Sequence, residues 1–285
     1  MTEFGLAHLS LLGLEPDELI RVAAEAGFDF VGVRVRGATP TESIADMRPS
    51  SAMSTAVRAA MADTGVAVRD IEFLSLDGAT GREAWLPMLE AGAAFGATTL
   101  SLAGQDPDEH RIIDTLAELV ADAASFGILP TLEPISYNAV HTISVAAQIA
   151  DAAGAAVLVD PLHLRRGGDS PADVATLDPA LVPVLQLCDA PLETPQEFEI
   201  SGPLPRGMTA DGEPRKVESR AFRLPPGDGE LPLLDLIRAV PSGLPISVEV
   251  PNAPLFEQLG AVGYARYLLE RARSMVHAAG IVADA

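Results

Sequence analysis

The sequence predicts an α/β protein built as a single (β/α)8 TIM barrel with a long loop after strand 7. Three observations support this fold class. Short apolar runs recur along the whole chain, and Ala- and Leu-rich segments with helical periodicity separate most of them. Four of the runs in the second half end in an oxygen-donor side chain. Such side chains converge only if their strands lie parallel and side by side, as in a barrel or a doubly wound sheet.

Eight runs are candidate strands, which is the number that a closed barrel needs. In chain order they cover residues 3–8, 29–36, 67–73, 97–102, 128–133, 155–160, 183–188 and 244–249. The helical segments between them include DELIRVAAEAG, SAMSTAVRAAMADTG, GREAWLPMLEAGAAFG, DEHRIIDTLAELVADAASFG and TISVAAQIADAAG. Several end in Gly just before the next strand, which is the usual left-handed helix cap. A last helical segment, 257–280, would complete the outer ring.

The chain length fits one domain. The whole chain, 1–285, is within the usual range for one barrel. One stretch departs from the alternation, because residues 190–226 have no apolar period and are rich in Pro, Gly and charge. A connection of this length is usually a functional lid or a disordered segment, and its position after strand 7 favours a lid over the barrel mouth.

Composition limits the partners that we expect. The formal net charge is −21, from 40 acidic and 19 basic residues, whereas nucleic acids and anionic membranes bind through Lys and Arg. We therefore expect no nucleic acid and no membrane as partners. The N-terminus lacks a signal-peptide pattern and no apolar run is long enough to span a bilayer, so we expect a cytoplasmic protein. The lone Cys188 excludes an intramolecular disulfide and fits the protein core.

Four strand-end side chains are candidate metal ligands: Glu133, Asp160, Gln186 and Glu249. A carboxylate at the end of an apolar strand is costly to bury unless something there uses its charge, so three of them indicate a cation. With the amide oxygen of Gln186 they form an all-oxygen set. Such a set suits one divalent ion of magnesium, manganese or cobalt better than zinc. The alternative, that each acid caps a helix or ends a loop, weakens when four occur together.

Other polar residues fall where a barrel presents side chains to its mouth. His163 lies three residues after the strand-6 ligand and can reach a substrate held by a metal. Arg34 and Arg36 are two residues apart in strand 2, so they share one face and indicate an anionic substrate. The equally open alternative is that they pair with acids such as Glu72. His8 in strand 1 and Glu72 at the end of strand 3 are further substrate-binding candidates.

Five segments carry a family resemblance: TLEP with Glu133, DPLH with Asp160 and His163, QLCD with Gln186, RAFRLPPGDGELPL with Arg223, and SVEVPN with Glu249. Over essentially its whole length the chain resembles the sugar phosphate isomerase/epimerase family. These xylose isomerase-like barrels include ketose 3-epimerases and hydroxypyruvate isomerase. The resemblance implies that the four strand-end residues bind one divalent metal and that Glu133 and Glu249 flank the substrate. It also implies that Arg223 contacts substrate oxygens.

Two positions depart from the commonest family pattern. Gln186 stands where many members have a metal-binding His, and in this it is similar to dehydratases that act on 3-dehydroshikimate. Strand 2 carries Arg34 and Arg36 where many relatives have an acid. Both departures favour a dehydratase over an epimerase, whereas a neutral amide still allows a metal site.

The reaction that follows is proton abstraction α to the carbonyl of a small polyhydroxylated substrate, with Glu133, Glu249 and His163 as catalytic residues. Return of the proton gives epimerisation or isomerisation, and loss of a β-hydroxyl gives dehydration. An isomerase or epimerase is our first interpretation, and a dehydratase lyase is the alternative. Five His residues and the acidic charge argue against the related AP endonucleases. A binding protein without catalysis would lack the metal, and a homo-oligomer is open because relatives often form dimers or tetramers.

Overall fold

The structure, a computed structural model, describes residues 2–199 and 202–280. The described residues form one eight-stranded sheet: β1 Phe4–Leu6, β2 Phe30–Arg34, β3 Ala67–Leu76, β4 Thr99–Gly104, β5 Leu129–Glu133, β6 Ala156–Val157, β7 Leu185–Leu187 and β8 Ile246–Val248. All strand pairs are parallel, in the order β6, β5, β4, β3, β2, β1, β8, β7. A bridge between Val159 and Leu185 joins the two ends of this order. The predicted (β/α)8 barrel is therefore confirmed.

Helices alternate with the strands and surround the sheet. They are α1 Pro16–Ala26, α2 Ala52–Thr64, α3 Arg82–Phe95, α4 Glu109–Ala124, α5 Ile143–Ala153, α6 Pro161–Gly167, α7 Pro171–Val174, α8 Pro214–Ala221, α9 Leu233–Ala239 and α10 Ala253–Ala278. Gly27 ends α1 with a φ of 96°, a conformation that a side chain would strain, which explains the Gly before strand 2. Among the described residues, no helix is both long enough and apolar enough to cross a membrane.

The apolar core continues from the inside of the sheet to the surrounding helices. All five residues of β2 are buried, as parallel strands covered on both faces require. Cys188 is fully buried, as its sequence context predicts. Many of the buried charged side chains lie at the carboxyl ends of the strands. That end of the barrel is therefore the part of the core where charge is concentrated.

Residues 190–226 contact the barrel at several points, among them Arg206 and Glu218. In the described parts, 190–199 and 202–226, Arg206 donates hydrogen bonds to the carbonyls of Leu12 and Leu14, both at 2.6 Å. Glu218 in α8 pairs with Arg166 in α6 at 2.7 Å, and the two side chains are 0% and 5% exposed. A buried ion pair of this kind holds its helix in one position, because separating the partners leaves an uncompensated charge.

The sequence does not predict α8. Its eight residues, PRKVESRA, include only Val217 and Ala221 as buried apolar side chains, which is too few to show a helical period. Glu213 caps the helix by accepting a hydrogen bond from the Lys216 N–H. Local capping and the contact of Glu218 with α6 therefore define this helix, and neither is visible as hydrophobic periodicity.

Candidate active site and metal centre

The four predicted ligands lie at the carboxyl end of the barrel. Glu133 is the last residue of β5, and Gln186 is the central residue of β7. Asp160 is the N-cap of α6, and Glu249 follows β8 directly. Each of the four is at most 6% exposed. They converge because all parallel strands of a barrel end at the same rim.

Arg223 lies between two of these carboxylates. Its Nη1 is 2.5 Å from Oδ2 of Asp160, and its Nη2 is 3.0 Å from Oε2 of Glu249. Its Nε donates to the carbonyl of Ser219 at 2.8 Å. A buried guanidinium with this many partners neutralises part of the acid cluster and fixes the orientation of both carboxylates. The residue that the resemblance implies as a substrate contact therefore also orients two candidate ligands.

The carboxyl groups of the cluster have different affinities for protons. Burial raises the pKa of Glu133 well above its usual value, and the nearby Glu249 and Asp160 carboxylates raise it further. Burial raises the pKa of Glu249 to about 7, although Arg223 opposes the rise. Burial also acts to raise the pKa of Asp160, but the charge of Arg223 and the hydrogen bonds from Arg223 and the His163 N–H outweigh it, and the pKa is lowered. Neighbouring acids with separated pKa values are typical of sites for acid–base chemistry.

The oxygen atoms of the cluster fit a cation. Among the described residues, Oε1 of Glu133 and Oε1 of Gln186 are buried and have no hydrogen-bond partner. Buried polar atoms are almost always paired, so two unpaired acceptors at one site indicate a place built for a positive charge. One ligand atom each from Glu133, Asp160 and His163 also lies within 4.8 Å of the other two. The donor set therefore fits a divalent metal ion.

His163 belongs to this cluster more closely than the sequence indicated. Its Nδ1 lies 3.2 Å from the Ser136 hydroxyl, and its Nε2 lies 4.0 Å from Oε1 of Glu133. Burial lowers the pKa of His163 to about 3, so the ring is neutral at neutral pH. A neutral ring nitrogen can bind a metal or accept a proton. His163 is therefore a fifth candidate ligand, and a nitrogen donor makes the site more acceptable to zinc.

The two arginines of strand 2 have different positions. Arg34 is buried, and its guanidinium pairs with Glu42 at 3.0 Å and with Glu72 at 3.1 Å. The structure therefore has the ion pairing that was the alternative in the sequence, in which acids such as Glu72 balance Arg34. Arg36 is exposed, because β2 ends at Arg34 and the chain then leaves the strand geometry. The two-residue spacing thus does not bring Arg36 into the mouth.

His8 is buried beside the site but faces the backbone. Its Nδ1 accepts a hydrogen bond from the N–H of Arg34 at 3.0 Å, and its Nε2 is 3.1 Å from the carbonyl of Leu14. Both ring nitrogens are thereby occupied. The structure supports a role for His8 in holding the loop after β1 rather than in contacting a substrate.

A cavity lies over the cluster. Its lining includes most of the predicted site residues: Arg34, Glu72, Glu133, His163, Gln186, Arg223 and Glu249. Sequence reasoning missed Tyr137, Asn138, Ser219 and Arg220, which also line it. These four residues lie after β5 or in α8, where no alternating pattern indicates which side chains face inward. Their position could be found only from the fold.

The family model for a xylose isomerase-like TIM barrel matches residues 20–274. The chain therefore belongs to the xylose isomerase-like TIM barrel family. A search of curated proteins finds no match.

Solved structures with the same fold are distant in sequence. The IOLI protein with a bound zinc atom is 14% identical, with a TM-score of 0.74 and coverage of 97% of this chain and 99% of that one. A D-allulose 3-epimerase from Methylomonas sp. in complex with D-allulose is 14% identical, with a TM-score of 0.63 and coverage of 96% and 97%. The probable 3-DHS dehydratase AsbF from Bacillus anthracis is 13% identical, with a TM-score of 0.69 and coverage of 94% and 98%. At these identities the likeness concerns the fold.

Proposed function

We propose that this protein is a divalent-metal-dependent sugar isomerase or epimerase that removes a proton α to a carbonyl group. The observation that carries the proposal is the pair of buried, unpartnered oxygens on Glu133 and Gln186, in one cavity with Glu249. The proposed ligands are Glu133, Asp160, Gln186 and Glu249, with His163 as an additional donor. Membership of a family with epimerases among its structural neighbours supports the reaction type.

The chain's own residues supply the proton transfers. A bound divalent ion would polarise the substrate carbonyl and stabilise the negative charge of the enediolate. Glu133 would take or return a proton on one face of the substrate, and Glu249 would do so on the other. A bound divalent ion would lower the pKa of both carboxyl groups below the raised values that burial gives them in the metal-free cluster. Arg223 keeps the Asp160 and Glu249 carboxylates in place while this happens.

A dehydratase is the second candidate, and Gln186 favours it. In this reaction the proton leaves as before, and the enediolate then expels a β-hydroxyl group. The hydroxyl leaves as water when it takes up a proton, and Glu133 or Glu249 would supply the proton that it removed from the α carbon. His163, which is neutral with a pKa of about 3, does not supply it. The fold is shared with a probable 3-DHS dehydratase. A product with a conjugated double bond absorbs in the ultraviolet, which separates a dehydratase from an isomerase in one assay.

Metal content is the first test of the proposed function. We expect about one divalent ion per chain in the purified protein after incubation with magnesium, manganese, cobalt or zinc. Glu133→Gln and Glu249→Gln should each lose it, because an amide cannot replace the charge of a carboxylate ligand. Glu25→Gln is the matched control, since Glu25 forms an exposed ion pair with Arg266 on the outer helices.

Metal that is absent from the wild type, or retained by both site variants, would contradict the proposal. A positive result leads to activity assays on ketoses and on 3-dehydroshikimate. Proton exchange with solvent at the α carbon, measured by NMR in D₂O, detects the shared first step for every candidate substrate.

A further inference from the structure

A polar space continues outward from the active-site cavity under residues 190–226, which we call the insertion. We call it the vestibule and define it by Thr39, Gln105, Asn138, Thr209, Lys216 and Arg220. Three of these residues, Gln105, Asn138 and Arg220, also line the active-site cavity, so the two spaces adjoin. A substrate held over the strand-end carboxylates can therefore extend into the vestibule.

The vestibule is positive in a strongly acidic protein. The chain has a net charge of −21, and Lys216 is its only lysine. The charged residues in the vestibule lining are Lys216, Arg220 and one acid, Asp211. Lys216 and Arg220 are four residues apart in α8, so they share one face of that helix. Both lie over the Tyr137 ring, at 5.7 Å for Lys216 Nζ and 6.0 Å for Arg220 Cζ.

Lys216 and Arg220 have fewer carboxylate partners than Arg34 and Arg223, two cations that line the active-site cavity. Arg34 pairs with two carboxylates, and so does Arg223. Among the described residues, Arg220 has no carboxylate within 4.0 Å and donates only to the Thr209 carbonyl. Lys216 has one partner, Asp211, at 3.4 Å, and the side chain of that acid is 66% exposed. An exposed pair at this distance contributes little to holding either group.

We infer that the vestibule binds an anionic group of the substrate, a carboxylate or a phosphate, through Arg220 and Lys216. The inference rests on the proposed function, since it concerns the part of the same substrate that lies away from the reacting carbon. It also replaces Arg34 and Arg36 as the residues that recognise a negative charge. Charge-assisted hydrogen bonds of this kind change affinity by about 10-fold to 100-fold.

The test compares matched probes that differ only in charge. One pair is D-fructose and D-fructose 6-phosphate, and the other is 3-dehydroshikimate and its methyl ester. Binding is measured by calorimetry on the full-length protein loaded with metal. We expect the anionic member of at least one pair to bind about 10-fold more tightly at low salt, and the preference to shrink as salt is added. The pair that shows it distinguishes phosphate from carboxylate.

Variants then locate the anion. Lys216→Gln and Arg220→Gln should each reduce the preference several-fold, and the double variant should abolish it. Arg215→Gln is the matched control: it lies on the same helix, but its guanidinium contacts Glu213 and the Ser136 carbonyl. Equal affinity within both pairs in the metal-loaded wild type, or a preference that the double variant retains, overturns the inference.

Metal content of the same samples separates the two proposals. A chain that binds no metal but still prefers the anionic probe keeps the vestibule and contradicts the proposed function. A chain that binds metal but binds charged and uncharged probes equally supports the proposed function and overturns the anion site in the vestibule.

Discussion

His8 shows how burial limits the protonation of one residue. Because its Nδ1 accepts the Arg34 N–H, the ring carries its proton on Nε2 and is neutral. Protonating Nδ1 would place a donor against a donor. Burial, the largest cause, lowers the pKa of His8 from 6.5 to about 3. The folded chain therefore resists a proton that the unfolded chain accepts.

This difference predicts a pH dependence of stability. Between about pH 6 and pH 4 the unfolded state binds one more proton at His8, so the free energy of unfolding falls by about 1.4 kcal/mol per pH unit as pH falls. His8→Asn keeps an acceptor for the Arg34 N–H and removes the titration. The variant should be less stable at neutral pH, but its stability should fall less steeply in acid. Urea unfolding across this range measures both slopes, and parallel curves would contradict the expectation.

The sequence predicted the residues at strand ends better than it predicted their partners. The period of a strand and the common rim of a barrel bring Glu133, Gln186 and Glu249 together without any knowledge of the loops. Glu42 was missed because it lies in the long connection between β2 and α2 and pairs with Arg34 only once that connection folds back. Partners of this kind depend on loop conformation, which periodicity does not encode.

At the scale of elements, α8 is the helix of the insertion that reaches the site, and Arg223 lies two residues after its end. Its Ser219 lies 3.1 Å from the Tyr137 hydroxyl, and its buried Glu218 pairs with Arg166. The neighbouring pair Arg165–Glu193 is exposed, with side chains 39% and 84% accessible. The two pairs therefore offer a comparison between a buried and an exposed connection of the insertion to α6.

Weakening the buried pair should loosen α8 without unfolding the barrel. Glu218→Gln leaves Arg166 buried without a charged partner, whereas Glu193→Gln changes an exposed pair that contributes little. Because Lys216 is the only lysine, a lysine-specific protease can cut the chain only there, giving residues 1–216 and 217–285. We expect cleavage to be about 10-fold or more faster in Glu218→Gln than in the wild type. Equal rates in the two variants would show that this pair does not hold the helix.

Strands were easier to predict than helices of this kind. Eight apolar runs gave eight strands, because most strand residues are buried and read as short apolar segments. β3 is the exception, since Arg69, Asp70 and Glu72 interrupt its apolar run. The run 155–160 forms a shorter strand than expected, only Ala156–Val157, because Val159 makes just an isolated bridge to Leu185 before Asp160 caps α6. The polar α8 carried no such signal.

At the scale of the whole molecule, the barrel has one weakly joined seam. The strands β6 and β7 meet through the bridge between Val159 and Leu185, where the Gln186 N–H donates to the Val159 carbonyl at 2.9 Å. Two candidate ligands, Asp160 and Gln186, lie on opposite sides of this seam. A bound metal would connect them and hold the ring closed.

Metal binding should therefore protect the seam against exchange with solvent. At about 100 times its dissociation constant, a ligand stabilises the state that binds it by about 2.7 kcal/mol, or about 100-fold. We expect magnesium or zinc to slow hydrogen exchange of the Gln186 amide by up to about that factor. The Leu129 amide, bonded to Thr98 across β4 and β5, serves as the internal reference. Hydrogen exchange at the seam that metal does not affect, or that metal slows equally in Glu133→Gln, would contradict the proposal that a bound metal holds the ring closed.

The proposed chemistry and the proposed anion binding depend on different parts of this chain, and this separation bears on its evolution. The proposed chemistry depends on residues at the ends of strands that the fold itself brings together, whereas the proposed anion contacts both lie in α8. That helix is held to the barrel by few connections. Descendants of this chain could therefore acquire new substrates by changes within α8, provided that they keep Arg223, which follows the helix and orients Asp160 and Glu249 in the reaction centre.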